Sequence, residues 1–136
     1  LLSAIVKNDS EHINAYLQLG NLLRNEDPEK AIKIHQMLTV RQNLNKILKN
    51  LTEKKITVLF AGMLAQESFG EKYKKEFDKI FPELAKKFKV SFLPFLLDGV
   101  ALNPKLNLKD GKHPNAEGIK LISKNLEKKL INLLLN

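Results

Sequence analysis

The sequence contains no cysteine, no tryptophan and only two tyrosines among its 136 residues. Without cysteine the chain forms neither disulfides nor thiolate metal sites. No apolar run approaches the roughly 18–20 residues that a membrane-spanning helix needs, so we expect no membrane span. Hydrophobic residues nevertheless make up 43% of the chain and charged residues 28%, which is the composition of a globular domain rather than of a disordered segment.

The net charge of +8 is distributed unevenly along the chain. Residues 1–38 carry four Lys or Arg and five Asp or Glu, a net −1, whereas residues 39–136 carry nineteen and ten, a net +9. The lysines are spread over the predicted helices, and aromatic residues do not alternate with them as a nucleic-acid stacking platform would require. We therefore interpret the charge as a solvated lysine-rich surface and expect no nucleic-acid partner.

Residues 1–38 are predicted to be helical throughout. A turn at Asn8-Asp9-Ser10 precedes a helix from about Glu11 to Arg24. Asp27 is expected to cap the next helix and Pro28 to be its first residue. That helix is predicted to bury one apolar side, formed by Ala31, Ile34, His35 and Leu38.

This N-terminal segment resembles a tetratricopeptide repeat, and the amino-acid sequence of residues 15–24 and 30–36 is similar to that of lipopolysaccharide assembly protein B. The resemblance implies a helical hairpin over residues 1–38 and a protein that faces the cytoplasm. About three repeats are needed to bury a solenoid core, so one hairpin is too small to form a peptide-binding superhelix.

From about Thr39 the pattern changes to alternating helix and strand. The apolar runs at residues 56–62 and 90–95 predict two buried parallel strands, the second of which ends near Pro94. Helices are predicted before, between and after these strands, which is the order of a doubly wound α/β sheet. The apolar faces of these three helices are expected to contain Val40, Leu44, Ile47, Leu48 and Leu51; Tyr73, Phe77, Ile80, Phe81, Leu84 and Phe88; and Ile119, Ile122, Leu126, Leu130 and Leu134.

Asp110 and His113 lie in the loop that follows the second predicted strand, where α/β sheets carry their reactive groups. At this spacing the carboxylate can accept a hydrogen bond from one imidazole nitrogen while the other nitrogen faces a substrate. A bare Asp-x-x-His is equally compatible with a turn that exposes its histidine, and spacing alone leaves both interpretations open.

The surrounding block, Asp110-Gly-Lys-His-Pro-Asn-Ala-Glu-Gly118, resembles the last conserved block of SGNH (GDSL-motif) hydrolases of the arylesterase, acyl-CoA thioesterase I and lysophospholipase group. The resemblance continues upstream in order through residues 106–110, 95–100, 77–85, 69–73 and 62–65. It implies a flavodoxin-like α/β fold and an acyl ester or thioester substrate. It also implies that Asp110 and His113 are the Asp and His of a Ser-His-Asp triad, in a family whose members are often periplasmic.

The family's nucleophile block, Gly-Asp-Ser-Leu, and its oxyanion block, Gly-x-Asn-Asp, do not occur in these 136 residues. Two serines are the remaining candidates for a nucleophile. Ser10 follows Asn-Asp but also suits a helix-capping turn, and Ser68 follows the first predicted strand in a region that the family uses for substrate contacts. We therefore predict negligible esterase activity for the isolated chain.

We accordingly predict an incomplete flavodoxin-like layer with two parallel strands over residues 39–136, preceded by the helical hairpin of residues 1–38. His12, His35 and His113 lack metal-ligand spacing, and no glycine-rich phosphate loop is present, so we expect neither metal nor cofactor. Two alternatives to an enzyme remain open. One is a non-catalytic interaction module that binds a protein partner or a second copy through the hairpin or an open sheet edge. The other is a recombined gene fragment.

Overall fold

The computed structural model describes residues 13–135. Ser10, His12 and the predicted turn around them lie outside this range. The described elements are α1 (Ile13–Glu26), α2 (Pro28–Glu53), β1 (Leu59–Ala61), α3 (Glu71–Phe88), β2 (Ser91–Leu93) and α4 (Ala116–Leu135). The chain divides into two compact units between Asn50 and Leu51.

In the first unit, the start of α2 confirms the predicted cap. The Asp27 carboxylate accepts a 3.0 Å hydrogen bond from the backbone N–H of Lys30, and Pro28 is the first helical residue. The cap satisfies one of the backbone donors that a helix start leaves without an intrahelical partner.

The predicted apolar side of α2 is largely confirmed, since Ala31, Ile34 and Leu38 are buried. His35 is only half-buried, and its ring lies against the backbone of Gly20 on α1. A Cβ at position 20 would lie 2.8 Å from Nε2 of His35. That nitrogen is itself buried and has no hydrogen-bond partner in the part of the chain that the structure describes. His35 is therefore a packing residue between the two helices.

The two apolar stripes that the sequence separates at about Thr39 lie on one continuous helix, α2. Residues 39–50 contain neither glycine nor proline, and the Thr39 hydroxyl donates a 2.9 Å hydrogen bond to the carbonyl of His35 within the helix. Because nothing in this stretch interrupts the helical hydrogen bonds, the change in sequence pattern is not accompanied by a helix end.

In the second unit, β1 and β2 pair in parallel with Phe60 opposite Phe92, which confirms the predicted two-stranded parallel sheet. Both strands are shorter than predicted. The pairing continues past their ends, because the N–H of Gly62 donates to Leu93 at 2.8 Å and the N–H of Leu96 donates to Gly62 at 3.2 Å. A Cβ at position 62 would lie 2.2 Å from the carbonyl oxygen of Pro94, so this approach requires glycine.

Helix α3 supplies most of the core beside the sheet, as its apolar spacing predicts. Ile80, Phe81 and Leu84 are buried. The ring of Phe81 lies 5.8 Å from that of Phe60 on β1 and 5.6 Å from that of Phe77, at distances typical of favourable aromatic pairs.

The predicted apolar face of α4 is partly wrong. Ile122 and Leu126 are half-buried, but Ile119, Leu130 and Leu134 are exposed, Leu134 by 78%. Leucine and isoleucine surround much of the last two turns, so their spacing does not indicate which side of the helix packs. Even with this apolar end, no helix in residues 13–135 combines the length and apolar character needed to cross a membrane.

Candidate active site

The loop of residues 94–115 runs from the end of β2 to the start of α4 and carries the predicted Asp-His pair. Its first part forms a series of turns, and its second part is closed by an antiparallel bridge between Asn107 and Pro114. Two backbone hydrogen bonds flank this bridge: Leu108 N–H to the carbonyl of His113 at 2.7 Å, and Asn115 N–H to the carbonyl of Leu106 at 2.9 Å. Asp110 and His113 thus lie in a short loop whose two ends are held together.

Asp110 and His113 are in direct contact, as their spacing and their sequence block predict. Nδ1 of His113 lies 2.6 Å from Oδ2 of Asp110. The other carboxylate oxygen, Oδ1, accepts hydrogen bonds from the backbone N–H groups of Lys112 at 2.9 Å and His113 at 3.0 Å. The loop backbone therefore fixes the carboxylate, and the carboxylate fixes the imidazole.

These three hydrogen bonds hold the pKa of Asp110 well below its ordinary value. The hydrogen bond from the His113 ring has the largest effect, followed by the backbone N–H groups of His113 and Lys112. The carboxylate is therefore ionised at neutral pH and only accepts hydrogen bonds, which assigns the proton of a neutral imidazole to Nδ1. The lone pair is then on Nε2.

The imidazole is open to solvent, with 74% of the His113 side chain and 45% of the Asp110 side chain exposed. Within the described range, Nε2 of His113 has no hydrogen-bond partner. An oriented imidazole with an accessible Nε2 lone pair has the geometry of a general base.

The residues that follow His113 build the start of α4. The Asn115 side chain accepts a 3.0 Å hydrogen bond from the N–H of Gly118 and donates one of 2.8 Å to the carbonyl of Lys105. Asn115 is therefore the N-cap of α4 and also ties the helix to the loop. Gly118 is buried where the helix passes the loop backbone.

Ser68 lies in a single 3₁₀ turn, Glu67–Phe69, after β1. Its residue is exposed, and no hydrogen bond joins it to His113. Across residues 13–135 the structure thus brings the Asp and the His together but pairs no serine with them, and Ser10 lies outside that range.

The described residues also contain no group of three or more His, Asp or Glu side chains arranged to hold a metal ion. Sequence reasoning missed Asn107, which is buried in the site loop. The apolar–polar–apolar pattern at Leu106-Asn107-Leu108 favours the opposite orientation, with the leucines inward, yet Leu108 is 53% exposed. The local sequence therefore carries no signal for the buried amide.

A parallel α/β layer with an Asp-His pair in the loop after a strand is an arrangement found in α/β hydrolases. No protein-family model matches the chain. Thioesterase 1/protease 1/lysophospholipase L1 of Escherichia coli K12 is 33% identical over 89 residues, which are 65% of this chain and 43% of that protein. An arylesterase of Vibrio mimicus is 26% identical over 92 residues, 68% of this chain and 46% of the relative.

Two solved structures also superpose on the chain. TesA superposes with a TM-score of 0.66 at 20% identity, over 89% of this chain and 73% of that one. The SGNH-hydrolase family esterase AlinE4 superposes with a TM-score of 0.53 at 31% identity, over 90% of this chain and 71% of its own. Through its C-terminal half the chain belongs to the SGNH-hydrolase family. It spans less than half the length of the curated relatives it matches.

Proposed function

We propose that this chain carries the acid–base pair of an SGNH-type acyl hydrolase site, with Asp110 orienting His113 and His113 acting as general base. The observation that supports this most directly is the 2.6 Å contact between the Asp110 carboxylate and Nδ1 of an imidazole whose Nε2 is accessible. The proposed substrate class is acyl esters or thioesters, because the relatives include a thioesterase 1/lysophospholipase L1 and an arylesterase.

The chemistry of the pair follows from its charges. Nε2 of His113 takes the proton of a hydroxyl nucleophile as the oxygen attacks the acyl carbon, and the Asp110 carboxylate stabilises the resulting imidazolium. The imidazolium then returns the proton to the departing alcohol or thiol. The accessibility of Nε2 allows both the nucleophile and the leaving group to approach it.

The nucleophile itself is not evident in these 136 residues, which contain no Gly-Asp-Ser-Leu block. Removing the serine of a triad costs on the order of 10⁶ in kcat. We therefore expect this chain by itself to hydrolyse esters negligibly, with Asp110 and His113 present but without a hydroxyl to activate.

Hydrolysis of a short-chain p-nitrophenyl ester tests this expectation. The 136-residue chain, its His113→Ala variant and a surface control, Lys124→Ala, should all hydrolyse the ester at about the same negligible rate. A fluorophosphonate probe should leave Ser68 unlabelled. Serine-dependent turnover that His113→Ala abolishes would show instead that the chain supplies its own nucleophile.

The orientation of the imidazole is tested separately by ¹⁵N NMR of the His113 ring. The neutral ring should be protonated at Nδ1 in the parent chain, and this preference should weaken in Asp110→Ala. A ring that is protonated at Nε2 in the parent chain, or that is unaffected by Asp110→Ala, would contradict the proposed role of Asp110.

A second candidate function is a non-catalytic interaction module. It is supported by the apolar end of α4, where four large side chains are exposed: Leu130, Ile131, Leu134 and Leu135. Exposed apolar clusters of this kind are typical of contact surfaces, and a two-stranded sheet also offers strand edges. Sedimentation distinguishes self-association from a monomer, and Leu134→Lys should dissociate any dimer formed through α4. A strictly monomeric parent chain counts against self-association.

In the third candidate, the chain is a recombined gene fragment in which residues 1–38 and residues 39–136 come from different genes. Two adjacent helices in the first unit are compatible with a tetratricopeptide-like hairpin, and the sequence pattern changes within α2. Sequencing the genomic reading frame on both sides of this segment decides whether a Gly-Asp-Ser-Leu block belongs to the same protein.

A further inference from the structure

We propose that Asn107 is a positioning residue for Asp110 and His113, because its buried amide anchors the loop whose closure holds that pair. The inference rests on the proposed acid–base function of the pair. The Asn107 side chain makes no hydrogen bond to Asp110 or His113 within the described residues, so it acts through the loop backbone.

The Asn107 side chain is the one buried polar side chain in the second unit of the described chain, with 7% of the residue exposed. Its Nδ2 donates to the carbonyl of Val100 at 2.6 Å and to the carbonyl of Asn103 at 2.8 Å. Both amide hydrogens are thus used, and they tie the second part of the loop to the turns of its first part. The bond to Val100 is buried and the bond to Asn103 is part-buried. Each carbonyl also accepts a backbone N–H, from Asn103 and Leu106 respectively, so the Asn107 amide adds a second donor that joins the two parts of the loop.

The backbone of Asn107 connects these side-chain hydrogen bonds to the loop that contains Asp110 and His113. Asn107 forms the bridge with Pro114, and the hydrogen bond from the Leu108 N–H to the His113 carbonyl follows directly after it. The carbonyl of Asn107 also accepts a 3.3 Å hydrogen bond from the Asn115 side chain at the helix cap. The backbone segments on both sides of Asp110 and His113 are therefore joined at this bridge, and the Asn107 amide fixes the bridge to the turn that contains buried Val100.

The loop backbone matters to the pair because two of the three hydrogen bonds to the Asp110 carboxylate come from backbone N–H groups. If the bridge opens, those N–H groups and the His113 ring no longer converge on one carboxylate. The titration of Asp110 therefore reports whether the loop is closed.

Asn107→Leu removes both donors while keeping the number and branching of the side-chain heavy atoms, and carboxyl ¹³C NMR then follows the titration of Asp110. We expect the midpoint to rise by about one pH unit or more toward that of an ordinary aspartate. The matched control is Asn125→Leu, because the Asn125 amide also donates to a loop carbonyl, that of Asp98 at 3.3 Å, but away from the bridge. That control should leave the Asp110 titration unchanged.

A folded Asn107→Leu variant with the parent Asp110 titration would overturn the proposal. If Asn107→Leu does not fold, Asn107→Ser decides, since its hydroxyl replaces only one of the two donors. A rise in the Asp110 midpoint supports the positioning role, and an unchanged midpoint rejects it. The Asp110 titration involves no ester turnover. An unchanged titration in the Asn107 variants would therefore reject the role of Asn107 without affecting the acid–base assignment. If the ester or ring-tautomer tests fail instead, the effect of Asn107 on the Asp110 titration can still be measured.

Discussion

Gly118 lies against the carbonyl of Leu106 so closely that a Cβ at position 118 would be 2.2 Å from that oxygen. The first turn of α4 therefore passes directly over the backbone of the site loop. The same turn is capped by Asn115, which follows His113 by two residues. Gly118 thus has a packing role: it allows the helix and the loop that carries Asp110 and His113 to approach each other.

Gly118→Ala should lower the free energy of unfolding by about 1–3 kcal/mol, because the added methyl group meets backbone atoms that cannot rotate away. Urea denaturation measures the change. Gly111→Asn is the matched control in the same loop: Gly111 has φ of 67° and no atom within 4 Å of its Cβ position, and asparagine tolerates that backbone. A Gly118→Ala chain as stable as Gly111→Asn would contradict the close packing.

Leu102→Asn should stabilise the chain by up to about 1 kcal/mol, because the left-handed backbone conformation is sterically less unfavourable for asparagine than for leucine. Leu102 has φ of 60° and is 86% exposed, so little packing is lost. Leu108→Asn, at an exposed position without a positive φ, should bring no such gain. The urea midpoints of the two variants decide the matter, and equal midpoints would argue against strain at Leu102.

Phe81→Ala should destabilise the second unit by about 3–5 kcal/mol, the usual cost of emptying a buried aromatic site. Phe81 is buried between the rings of Phe60 and Phe77. Met63→Ala serves as control, because Met63 is 59% exposed and its truncation should change stability by no more than about 0.5 kcal/mol. Thermal unfolding followed by circular dichroism compares them, and similar losses for both variants would contradict the assigned core.

Acidification should leave the Asp110–His113 contact intact down to pH values below the ordinary range of aspartate. Folding lowers the pKa of Asp110, so the unfolded chain binds the proton more tightly. The contribution of ionised Asp110 to the free energy of unfolding is therefore complete above the pKa of an aspartate in the unfolded chain, about 3.9. It is lost as the pH falls below that value toward the lower pKa of the folded chain.

His113→Ala should raise the pKa of Asp110 toward its ordinary value, since the ring supplies the largest part of the effect. Lys112→Ala should leave it in place, because Lys112 contributes through its backbone N–H. Carboxyl ¹³C NMR of Asp110 measures both variants. A parent Asp110 that titrates like a model peptide would show that the three hydrogen bonds do not persist in solution.

Local patterns predicted much of the fold. Asp27 and Pro28 begin α2 as expected, since capping depends on residues within one helical turn. The helix–strand–helix–strand–helix order also follows from the sequence, because buried strands and amphipathic helices have different apolar periods. The contact between Asp110 and His113 was possible from their spacing, since only Gly111 and Lys112 separate them, and it was predicted from the resemblance of the surrounding block.

Contacts between distant segments were not predictable in this way. The spacing indicated a buried face that includes Ile119, Leu130 and Leu134, yet these three are exposed and only Ile122 and Leu126 of that face are half-buried. Gly62 is required by the carbonyl of Pro94, far away in sequence. Nothing in the local pattern around Asn107 shows which carbonyls its amide binds.

The sequence by itself determined the order of the elements and the cap of α2, because short-range sterics and hydrogen bonds decide both, and it placed Asp110 and His113 within reach of each other. Only the tertiary structure decided which side of α4 packs, how far α2 extends, and that Asn107 closes the loop around the pair. Those features depend on which surfaces of distant segments meet and exclude water, and that free energy is shared among residues that no local pattern connects.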